Sequence, residues 1–245
     1  MHRFYSANTN LQQKTIALTD KQEIHHLKNV LRFKKNNPIT IFNGKGQEAA
    51  GQIISITAEK VEIKITSTKQ AAPENKISIT LACALPKKAK FEYIIEKTTE
   101  LGVDEIIPLA TKRTEVILKG DRAEKKNARY QTVAINAAKQ CKRTTIPTIR
   151  AITKLKDIIT EIPDYDLALI PWLEGERASI AETFKLNKTV KKIIFFIGPE
   201  GDFTPEEAKL CIAAGAAPVS LGPTVLKVDT AAISVIAFAN LLINQ

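Results

Sequence analysis

Two glycine-containing segments near the C-terminus carry the residues best suited to ligand chemistry. Residues 197–203 read Ile-Gly-Pro-Glu-Gly-Asp-Phe, and residues 221–227 read Leu-Gly-Pro-Thr-Val-Leu-Lys. Each segment follows a short apolar run and leads towards a predicted helix, so each forms a tight turn between a strand and a helix. Open α/β sheets bind ligands at such turns, beyond the carboxyl ends of their strands. Two such turns separated by one short helix favour a single shared site.

The residues of these loops disfavour phosphate as the ligand. The first loop is not followed by Gly-Lys-Ser/Thr and does not match Gly-x-Gly-x-x-Gly, the two common phosphate-binding patterns. Glu200 lies at the mouth of this loop, where its carboxylate would repel a polyanion. A cationic or zwitterionic ligand with an apolar body fits better, although either glycine could serve the turn alone. Nucleotide hydrolysis is disfavoured as well, because the sequence has no phosphate-facing lysine motif and no cluster of metal-binding residues.

The two loops, with the run Val-Leu-Lys-Val-Asp-Thr-Ala at residues 225–231, resemble the knotted SPOUT-class methyltransferases. Within that class the chain is similar to the bacterial enzymes that methylate N3 of a uridine in the decoding region of 16S ribosomal RNA. The similarity extends over the whole chain, through further matching segments at residues 1–5, 25–32, 84–87, 97–103 and 137–143.

This resemblance implies an α/β fold in two domains. Residues 1–70 are expected to form a small PUA-like β-barrel that binds RNA, and residues 76–245 a knotted SPOUT-type domain built on a parallel sheet. The family also implies S-adenosylmethionine as cofactor, 16S rRNA of the small ribosomal subunit as substrate, no metal and a homodimer. In that dimer the last helix packs against the partner, although the apolar run at residues 231–243 would equally suit packing within one chain.

The resemblance also places the cofactor at the two loops. Peptide groups of the loops would read the adenine edge and the ribose, and apolar side chains would enclose them. Glu200 would hold a ribose hydroxyl or stabilise the sulfonium, or it is simply a carboxylate beside a helix N-terminus. The predicted cofactor-binding residues are Ile170, Ile197, Gly198, Pro199, Glu200, Gly201, Leu221, Gly222 and Leu226.

Methyl transfer to N3 of uracil requires removal of the N3 proton, because the protonated nitrogen is a poor nucleophile. Asp229 is the predicted base, and Lys227 is the predicted cation that stabilises the developing ring anion. Asp229 has an ordinary alternative role, because Asp-Thr before an apolar helix also reads as a helix N-cap.

Four residues depart from the family pattern. The family usually has glycine where this chain has Asp202, arginine at Thr224 and at Lys227, and glutamate at Asp229. Lysine does not reproduce the planar fork of arginine, and threonine removes a cation altogether. These departures motivate a second hypothesis, in which the chain is an rRNA-binding assembly factor that has lost turnover.

Charge is distributed in a way that suits contact with RNA. The 245-residue chain has a net charge of +10, and residues 1–70 hold 11 Lys and Arg against 5 Asp and Glu, an excess of six. A basic N-terminal segment is typical of an RNA-holding module, although a basic surface can also serve solubility alone. The predicted RNA-binding residues are Arg3, His26, Arg32, Lys34 and Arg143.

The three cysteines, Cys83, Cys141 and Cys211, are widely spaced and form no Cys-x-x-Cys pair. Buried free thiols in a reducing compartment are therefore favoured over a metal site or a disulfide framework. The sequence shows no signal-peptide pattern and no apolar run of the ~20 residues that a membrane span needs. A cytoplasmic location is expected.

Local patterns predict the elements that position these residues. In the N-terminal region, strands are predicted at 38–42, 52–57 and 61–66, with a turn at 43–46 and a linker at 70–76. A helix is predicted after a capping box formed by Thr19 and Gln22. The apolar residues on one face of that helix are Ile24, Leu27 and Leu31.

From residue 77 onwards the pattern alternates between strands and helices. Helices are predicted at 88–101 with Gly102 as C-cap, at 121–142, after a Thr204–Glu207 capping box, and from Thr230. The predicted strands are 77–83, 106–110, 146–151, 166–171, 192–197 and 217–221.

Overall fold

The computed structural model describes residues 2–7, 9–70, 77–87, 90–114, 120–186 and 190–243. Most of the predicted linker at 70–76 lies outside these residues. The chain divides into two compact units, and each unit is discontinuous in sequence. The first comprises residues 1–74 and 135–146, and the second comprises residues 75–134 and 147–245. The described part contains no helix that is both long and apolar enough to cross a membrane.

The first unit is built on a five-stranded sheet and one short helix. Its elements are β1 (Arg3–Tyr5), β2 (Thr15–Leu18), α1 (Lys21–His25), β3 (Pro38–Phe42), β4 (Gln47–Ile56) and β5 (Val61–Gln70). The strand order is β1-β3-β4-β5-β2, with β1 parallel to β3 and the other pairs antiparallel. Two register shifts between β4 and β5 bend these long strands. The curved sheet encloses a core that includes Phe4, Ile16, Leu27, Ile39, Ile53 and Ile63.

The helix of the first unit begins one residue later than its sequence predicts. The predicted Thr19–Gln22 capping box is wrong, because Asp20 is the N-cap and its Oδ1 accepts a hydrogen bond from the Glu23 N–H at 2.9 Å. After His25 the helix continues as a π-helical turn over His26–Val30. The predicted apolar face is confirmed, since Ile24 and Leu27 are buried and Leu31 packs against the core.

The second unit is built on an eight-stranded sheet with parallel pairing. Its first elements are β6 (Ser78–Ala84), α2 (Lys90–Glu100), β7 (Glu105–Ala110), α3 (Asp121–Gln140), β8 (Thr148–Ile149), β9 (Thr153–Lys154) and α4 (Leu155–Ile159). The remaining elements are β10 (Leu167–Pro171), β11 (Ala178–Ser179), α5 (Ile180–Leu186), β12 (Lys192–Ile197), α6 (Pro205–Ala213), β13 (Ala217–Ser220) and α7 (Val228–Ile243). The strand order is β11-β13-β10-β12-β6-β7-β8, and β9 pairs with β7. Helix α3 contributes its residues 121–134 to this unit.

Strand order decides where the loops meet. The four neighbouring strands β13, β10, β12 and β6 are parallel, so their carboxyl ends lie at one edge of the sheet. Their apolar runs are buried, as expected for a sheet covered on both faces. The loops that follow these four strands therefore leave the sheet side by side, and both glycine loops are among them.

Two helix ends of the second unit differ in how well the sequence predicts them. Helix α2 ends as predicted at Gly102, which has φ +99°. The Gly102 N–H bonds to the Thr99 carbonyl and the Val103 N–H to the Thr98 carbonyl, which is a Schellman motif. Helix α7, in contrast, begins at Val228, two residues before the prediction, and the Ala231 N–H donates to the Lys227 carbonyl at 2.8 Å.

Candidate methyl-transfer site

A cavity of about 350 Å³ lies at the carboxyl edge of the second unit's sheet. Its volume is within the range of small-molecule sites. Both glycine loops line it, together with the loops that follow β6 and β10. The two loops therefore border one cavity, as the sequence predicts.

Most of the residues predicted to bind cofactor or to catalyse line this cavity. These are Ile197, Gly198, Pro199, Glu200, Leu221, Gly222, Leu226, Lys227 and Asp229. Two predicted residues are placed elsewhere. Ile170 is fully buried in the core, so Pro171 forms the wall at the end of β10. Gly201 does not line the cavity, and its carbonyl oxygen accepts a hydrogen bond from the Arg113 guanidinium.

Sequence reasoning missed the cavity residues from the loops after β6 and β10. These are Pro86, Lys90, Trp172, Leu173 and Arg177. Arg177 also closes its own loop, because its guanidinium donates to the Trp172 carbonyl at 2.8 Å. The matching segment at residues 84–87 was a signal for the first loop. The loop after β6 lies near the first glycine loop because β6 pairs with β12, and no local sequence pattern predicts this pairing.

The first glycine loop is held by a tight turn. The Asp202 N–H donates to the Pro199 carbonyl at 2.9 Å, and Asp202 adopts φ +60°. Its Oδ1 accepts a hydrogen bond from the Phe203 N–H at 2.8 Å. A Cβ at Gly198 would lie 2.9 Å from this oxygen and 3.1 Å from the Phe203 nitrogen, so only glycine fits there without a shift.

Asp202 occupies a position where the resembled family usually has glycine, and its left-handed φ accounts for that preference. Aspartate is one of the few residues that tolerate this conformation. Burial raises the pKa of the Asp202 carboxyl, while the Phe203 and Leu173 N–H groups and the Arg113 charge act in the opposite direction. The Asp202 side chain thus stabilises the conformation of this loop.

The predicted capping box after this loop is confirmed and has an additional partner. Thr204 Oγ1 accepts from the Glu207 N–H at 3.3 Å, and Glu207 Oε2 accepts from the Thr204 N–H at 2.9 Å. The other oxygen, Glu207 Oε1, accepts from the Lys112 N–H at 2.8 Å. Together with Arg113, this bond anchors the first glycine loop and α6 to the turn that follows β7.

Glu200 is exposed and ties two walls of the cavity together. Its Oε1 accepts a hydrogen bond from the Lys87 N–H, in the loop after β6, at 2.8 Å. Helix α6 is capped by Thr204 and Glu207, so Glu200 is not its capping residue. The carboxylate is held at the cavity rim, where a cationic or hydroxyl-bearing ligand could reach it.

Asp229 is the polar residue of the cavity with the most unusual environment. It lies in the first turn of α7, and its side chain is 22% exposed. Oδ1 is buried and has no hydrogen-bond partner among the described residues, while Oδ2 lies 3.9 Å from Lys90 Nζ. Lys227 occupies the position before the helix, so Asp229 is not the N-cap.

A buried carboxylate oxygen without a partner is costly, because its desolvation is not compensated. Asp229 also lines the cavity, so its carboxylate is placed to accept a hydrogen bond or a proton from a ligand that enters. This arrangement suits the role predicted for Asp229 better than the capping role.

Burial disfavours the thiolate form of two of the cysteines, Cys83 and Cys211. Burial raises the pKa of the Cys83 thiol, and the charges of Glu200 and Asp229 raise it further. Burial also raises the pKa of Cys211 to about 12. Within the part of the chain that the structure describes, no three His, Cys, Asp or Glu residues are grouped as a metal site would require.

The predicted RNA-binding residues of the first unit fall into two groups. His26, Arg32, Lys34 and Arg143 are exposed or half-buried. Arg3 has a side chain only 8% exposed, and its guanidinium bonds to Glu48 and to the carbonyls of residues 138 and 143. The prediction that Arg3 contacts phosphate is therefore wrong, because its donors are used inside the unit.

Comparisons with known proteins identify the class of this fold and site. The family model for the RNA methyltransferase domain matches residues 73–240, and that for the RNA methyltransferase PUA domain matches residues 18–66. The chain is therefore an RNA methyltransferase with a PUA domain.

Curated relatives identify the particular family. Ribosomal RNA small subunit methyltransferase E of Bacillus subtilis is 29% identical over 255 residues, covering 100% of this chain and 99% of the relative. The protein of the same name from Synechocystis is 31% identical over 245 residues, covering 100% of this chain and 78% of the relative. The chain belongs to the ribosomal RNA small subunit methyltransferase E family.

Solved structures agree with this assignment. A structure of ribosomal RNA small subunit methyltransferase E from Neisseria gonorrhoeae bound to S-adenosylmethionine is 28% identical. It has a TM-score of 0.87 and covers 99% of this chain and 98% of its own. A Legionella pneumophila protein solved with the same cofactor is 29% identical, has a TM-score of 0.88 and covers 98% of this chain and 97% of its own.

Proposed function

We propose that this protein methylates N3 of a uridine in the decoding region of 16S rRNA, with S-adenosylmethionine as methyl donor. The observation that carries the proposal is Asp229, which lines a cavity bordered by both glycine loops and has a buried Oδ1 without a hydrogen-bond partner among the described residues. The family relationship supports rRNA of the small subunit as the substrate. The position of the proton-accepting group supports a ring nitrogen that must lose a proton.

S-adenosylmethionine is the cofactor, and the residues of the cavity suit it. The cofactor supplies an electrophilic methyl group on a sulfonium cation. Apolar side chains such as Ile197 and Leu226, with the peptide groups of both loops, provide walls for the adenine and ribose. Glu200 offers a carboxylate for a ribose hydroxyl or for the positive charge. These features match the cationic ligand with an apolar body that the sequence predicts.

Asp229 would act on the nucleoside. It accepts the N3 proton, so that the nitrogen lone pair forms the new N–C bond as the C–S bond breaks and its electrons remain on sulfur. Lys227, which also lines the cavity, would stabilise the negative charge that spreads over the ring. Alignment of the two reactants in one cavity supplies the entropic part of the rate enhancement.

The first unit would hold the RNA so that the target base leaves its stack, because the reacting atom lies on the pairing edge. His26, Arg32, Lys34 and Arg143 are the proposed RNA-binding residues, within a domain at 1–70 supplemented by the returning segment at 135–146. The catalytic domain at 76–245 is proposed to carry the trefoil knot, to dimerise through its last helix and to work in the cytoplasm without a metal.

The test is methyl transfer from labelled S-adenosylmethionine to small ribosomal subunits from cells that lack the modification. The modified nucleoside is identified by mass. We expect label in N3-methyluridine with the wild type, and a ~100-fold or greater loss of rate with Asp229→Asn. Calorimetric titration with S-adenosylmethionine should give a similar affinity for both proteins, because the substitution removes a base and leaves the loops intact.

Two outcomes would contradict the proposal. Label at another atom or nucleoside would refute the proposed target. Absence of label, with tight binding to the subunit, would favour the assembly-factor hypothesis. In that case the combined change Thr224→Arg, Lys227→Arg and Asp229→Glu tests whether the departures from the family pattern are the cause, since it should then restore transfer.

A further inference from the structure

Lys90 is a cavity residue to which the sequence assigned no role. It is the first residue of α2, and it lines the cavity from the side of β6. Its Nζ lies 3.9 Å from Asp229 Oδ2, and its side chain is 43% exposed. This distance exceeds that of a hydrogen bond, so the ammonium is close to the carboxylate without being bound to it.

The alternative to a functional role is that Lys90 and Asp229 form an ion pair that only stabilises the fold. A pair at this distance, with its ammonium exposed to solvent, contributes little to stability, which is a weak reason for its geometry. Asp229 Oδ1 is also buried without a partner among the described residues, although an ammonium with three donors lies next to the same carboxylate. Lys90 and Asp229 thus line the same cavity with their charged groups 3.9 Å apart, so a carboxylate and an ammonium are both placed to meet a ligand.

This pair complements the reacting edge of uracil. Uracil presents the N3–H donor flanked by two carbonyl acceptors, O2 and O4. A carboxylate facing N3 and an ammonium beside it match a donor and a neighbouring acceptor. Cytosine presents a lone pair at N3 and an amino donor at C4. Its N3 lone pair would face the carboxylate, which is an acceptor itself. If C4 lies on the Lys90 side, the amino group would also face the ammonium, which is a donor itself.

We infer that Lys90 is a specificity-determining residue that donates a hydrogen bond to a uracil carbonyl next to N3. The inference rests on the proposed function and deepens it, because it explains why the cavity would choose uracil. It also has a kinetic consequence. Once Asp229 has taken the N3 proton, the negative charge spreads to O2 and O4, and the ammonium stabilises this anion more than the neutral base. Lys90 would then act beside Lys227.

The test compares Lys90→Met and Lys90→Arg in the methyl-transfer assay at several pH values. Lys90→Met keeps the aliphatic stem and removes the charge, so we expect kcat to fall ~100-fold at pH 7. The deficit should shrink towards pH 9, because a higher pH ionises the bound uracil without the help of the cation. Lys90→Arg should recover most of the rate, and the affinity for S-adenosylmethionine should remain within about twofold in both variants.

Lys97→Met is the matched control. Lys97 lies on the same helix and pairs with Glu96 and Glu100 away from the cavity, so its loss should leave kcat unchanged. A competition assay supplies a second measurement, with subunits that carry uridine or cytidine at the target position. Lys90→Met should narrow the preference for uridine by about fivefold or more, since one good base contact discriminates by ~1–3 kcal/mol.

The inference is overturned if Lys90→Met keeps kcat within threefold of the wild type. The inference is also overturned if the kcat deficit of Lys90→Met is independent of pH and S-adenosylmethionine binding is weakened as well. That result would mean that the Lys90–Asp229 pair only supports the structure of the cavity. Failure of the proposed function is a distinct result, because the wild type itself would then form no N3-methyluridine.

Discussion

At the scale of single residues, hydrogen bonding distinguishes two of the carboxylates that line the cavity, those of Glu200 and Asp229. Glu200 Oε1 is satisfied by the Lys87 N–H, whereas Asp229 Oδ1 is buried without a partner among the described residues. A satisfied carboxylate positions the elements that it joins, and an unsatisfied one retains its capacity to accept a proton. The chemistry of the site therefore follows from where the backbone donors lie, since both residues carry the same functional group.

Gly198 offers a test of the loop at this scale. We expect Gly198→Ala to weaken S-adenosylmethionine binding at least tenfold and to lower the free energy of unfolding by ~1–3 kcal/mol. The added Cβ would meet Asp202 Oδ1 at 2.9 Å and the Phe203 backbone nitrogen at 3.1 Å, and the backbone atom cannot move away cheaply. Calorimetric titration and urea unfolding measure the two effects. Unchanged affinity would show that this loop does not hold the cofactor.

Asp202 gives a prediction of pH dependence. Burial raises the pKa of its carboxyl above the ordinary value of 3.8, so the unfolded chain loses this proton first as the pH rises. The folded state therefore loses stability above about pH 4, until Asp202 ionises in the folded protein as well. Asparagine keeps an oxygen for the Phe203 N–H and tolerates φ +60°.

We therefore expect Asp202→Asn to raise the free energy of unfolding at pH 7, relative to the wild type, and to have a smaller effect at pH 4. Urea unfolding at the two pH values measures both differences. A larger gain at pH 4 than at pH 7 would contradict the burial argument, because it would mean that the ionised carboxylate stabilises the fold.

At the scale of elements, local sequence patterns predicted most of the features that depend on interactions between residues close in sequence. The strand Lys192–Ile197, the Thr204–Glu207 capping box and the C-cap at Gly102 all agree with the structure, because each depends on residues close in sequence. The shift of an N-cap from Thr19 to Asp20 is a competition between adjacent side chains that the pattern alone does not resolve.

The residues of the candidate site were predictable only where they lie close together in sequence. The two glycine loops are separated by one helix and one strand, and most of their predicted residues line the cavity. Lys90 comes from a distant segment through the pairing of β6 with β12, which is a long-range choice of strand order. The predicted role of Arg3 failed for the same reason, because its partners Glu48 and residues 138 and 143 are remote in sequence.

The junction of α2 and α7 gives a prediction at this scale. Gly102 has φ +99°, and a Cβ there would lie 2.9 Å from Asn240 Nδ2, the amide that donates to the Leu101 carbonyl. Gly102→Ala should lower the free energy of unfolding by ~2–3 kcal/mol, from backbone strain and from displacement of this amide.

Gly120→Ala is the matched control for the junction. Gly120 also has a positive φ, +54°, but no described residue lies within 4 Å of its added Cβ, so its cost should be ~1 kcal/mol of strain. Urea unfolding of both variants isolates the contribution of the Asn240 contact. Equal costs would show that the contact contributes nothing.

At the scale of the whole molecule, the first unit is completed by a segment from the middle of the chain. Residues 135–146 join residues 1–74 through specific polar contacts. Lys139 Nζ binds both carboxylate oxygens of Glu23 at 2.7 and 2.8 Å, and Arg3 binds the carbonyls of residues 138 and 143 at 3.2 Å. Residues 1–74 should therefore unfold together with this segment, although 60 residues (75–134) separate the two parts.

Arg3→Met tests this cooperative unit. The Arg3 side chain is 8% exposed, and its guanidinium pairs with Glu48 at 2.6 Å and lies 4.5 Å from the centre of the Phe42 ring. Glu48 is 27% exposed, so its charge stays partly solvated without Arg3, whereas the carbonyls of residues 138 and 143 lose their donor. We expect the free energy of unfolding to fall by ~1–3 kcal/mol. Native-state hydrogen exchange should show lower protection in both β3–β5 and residues 135–146, because they open as one unit. Arg129→Met, at an exposed pair with Glu92 in the other unit, should change protection in neither. Loss of protection confined to β1 would instead show that residues 135–146 are held independently.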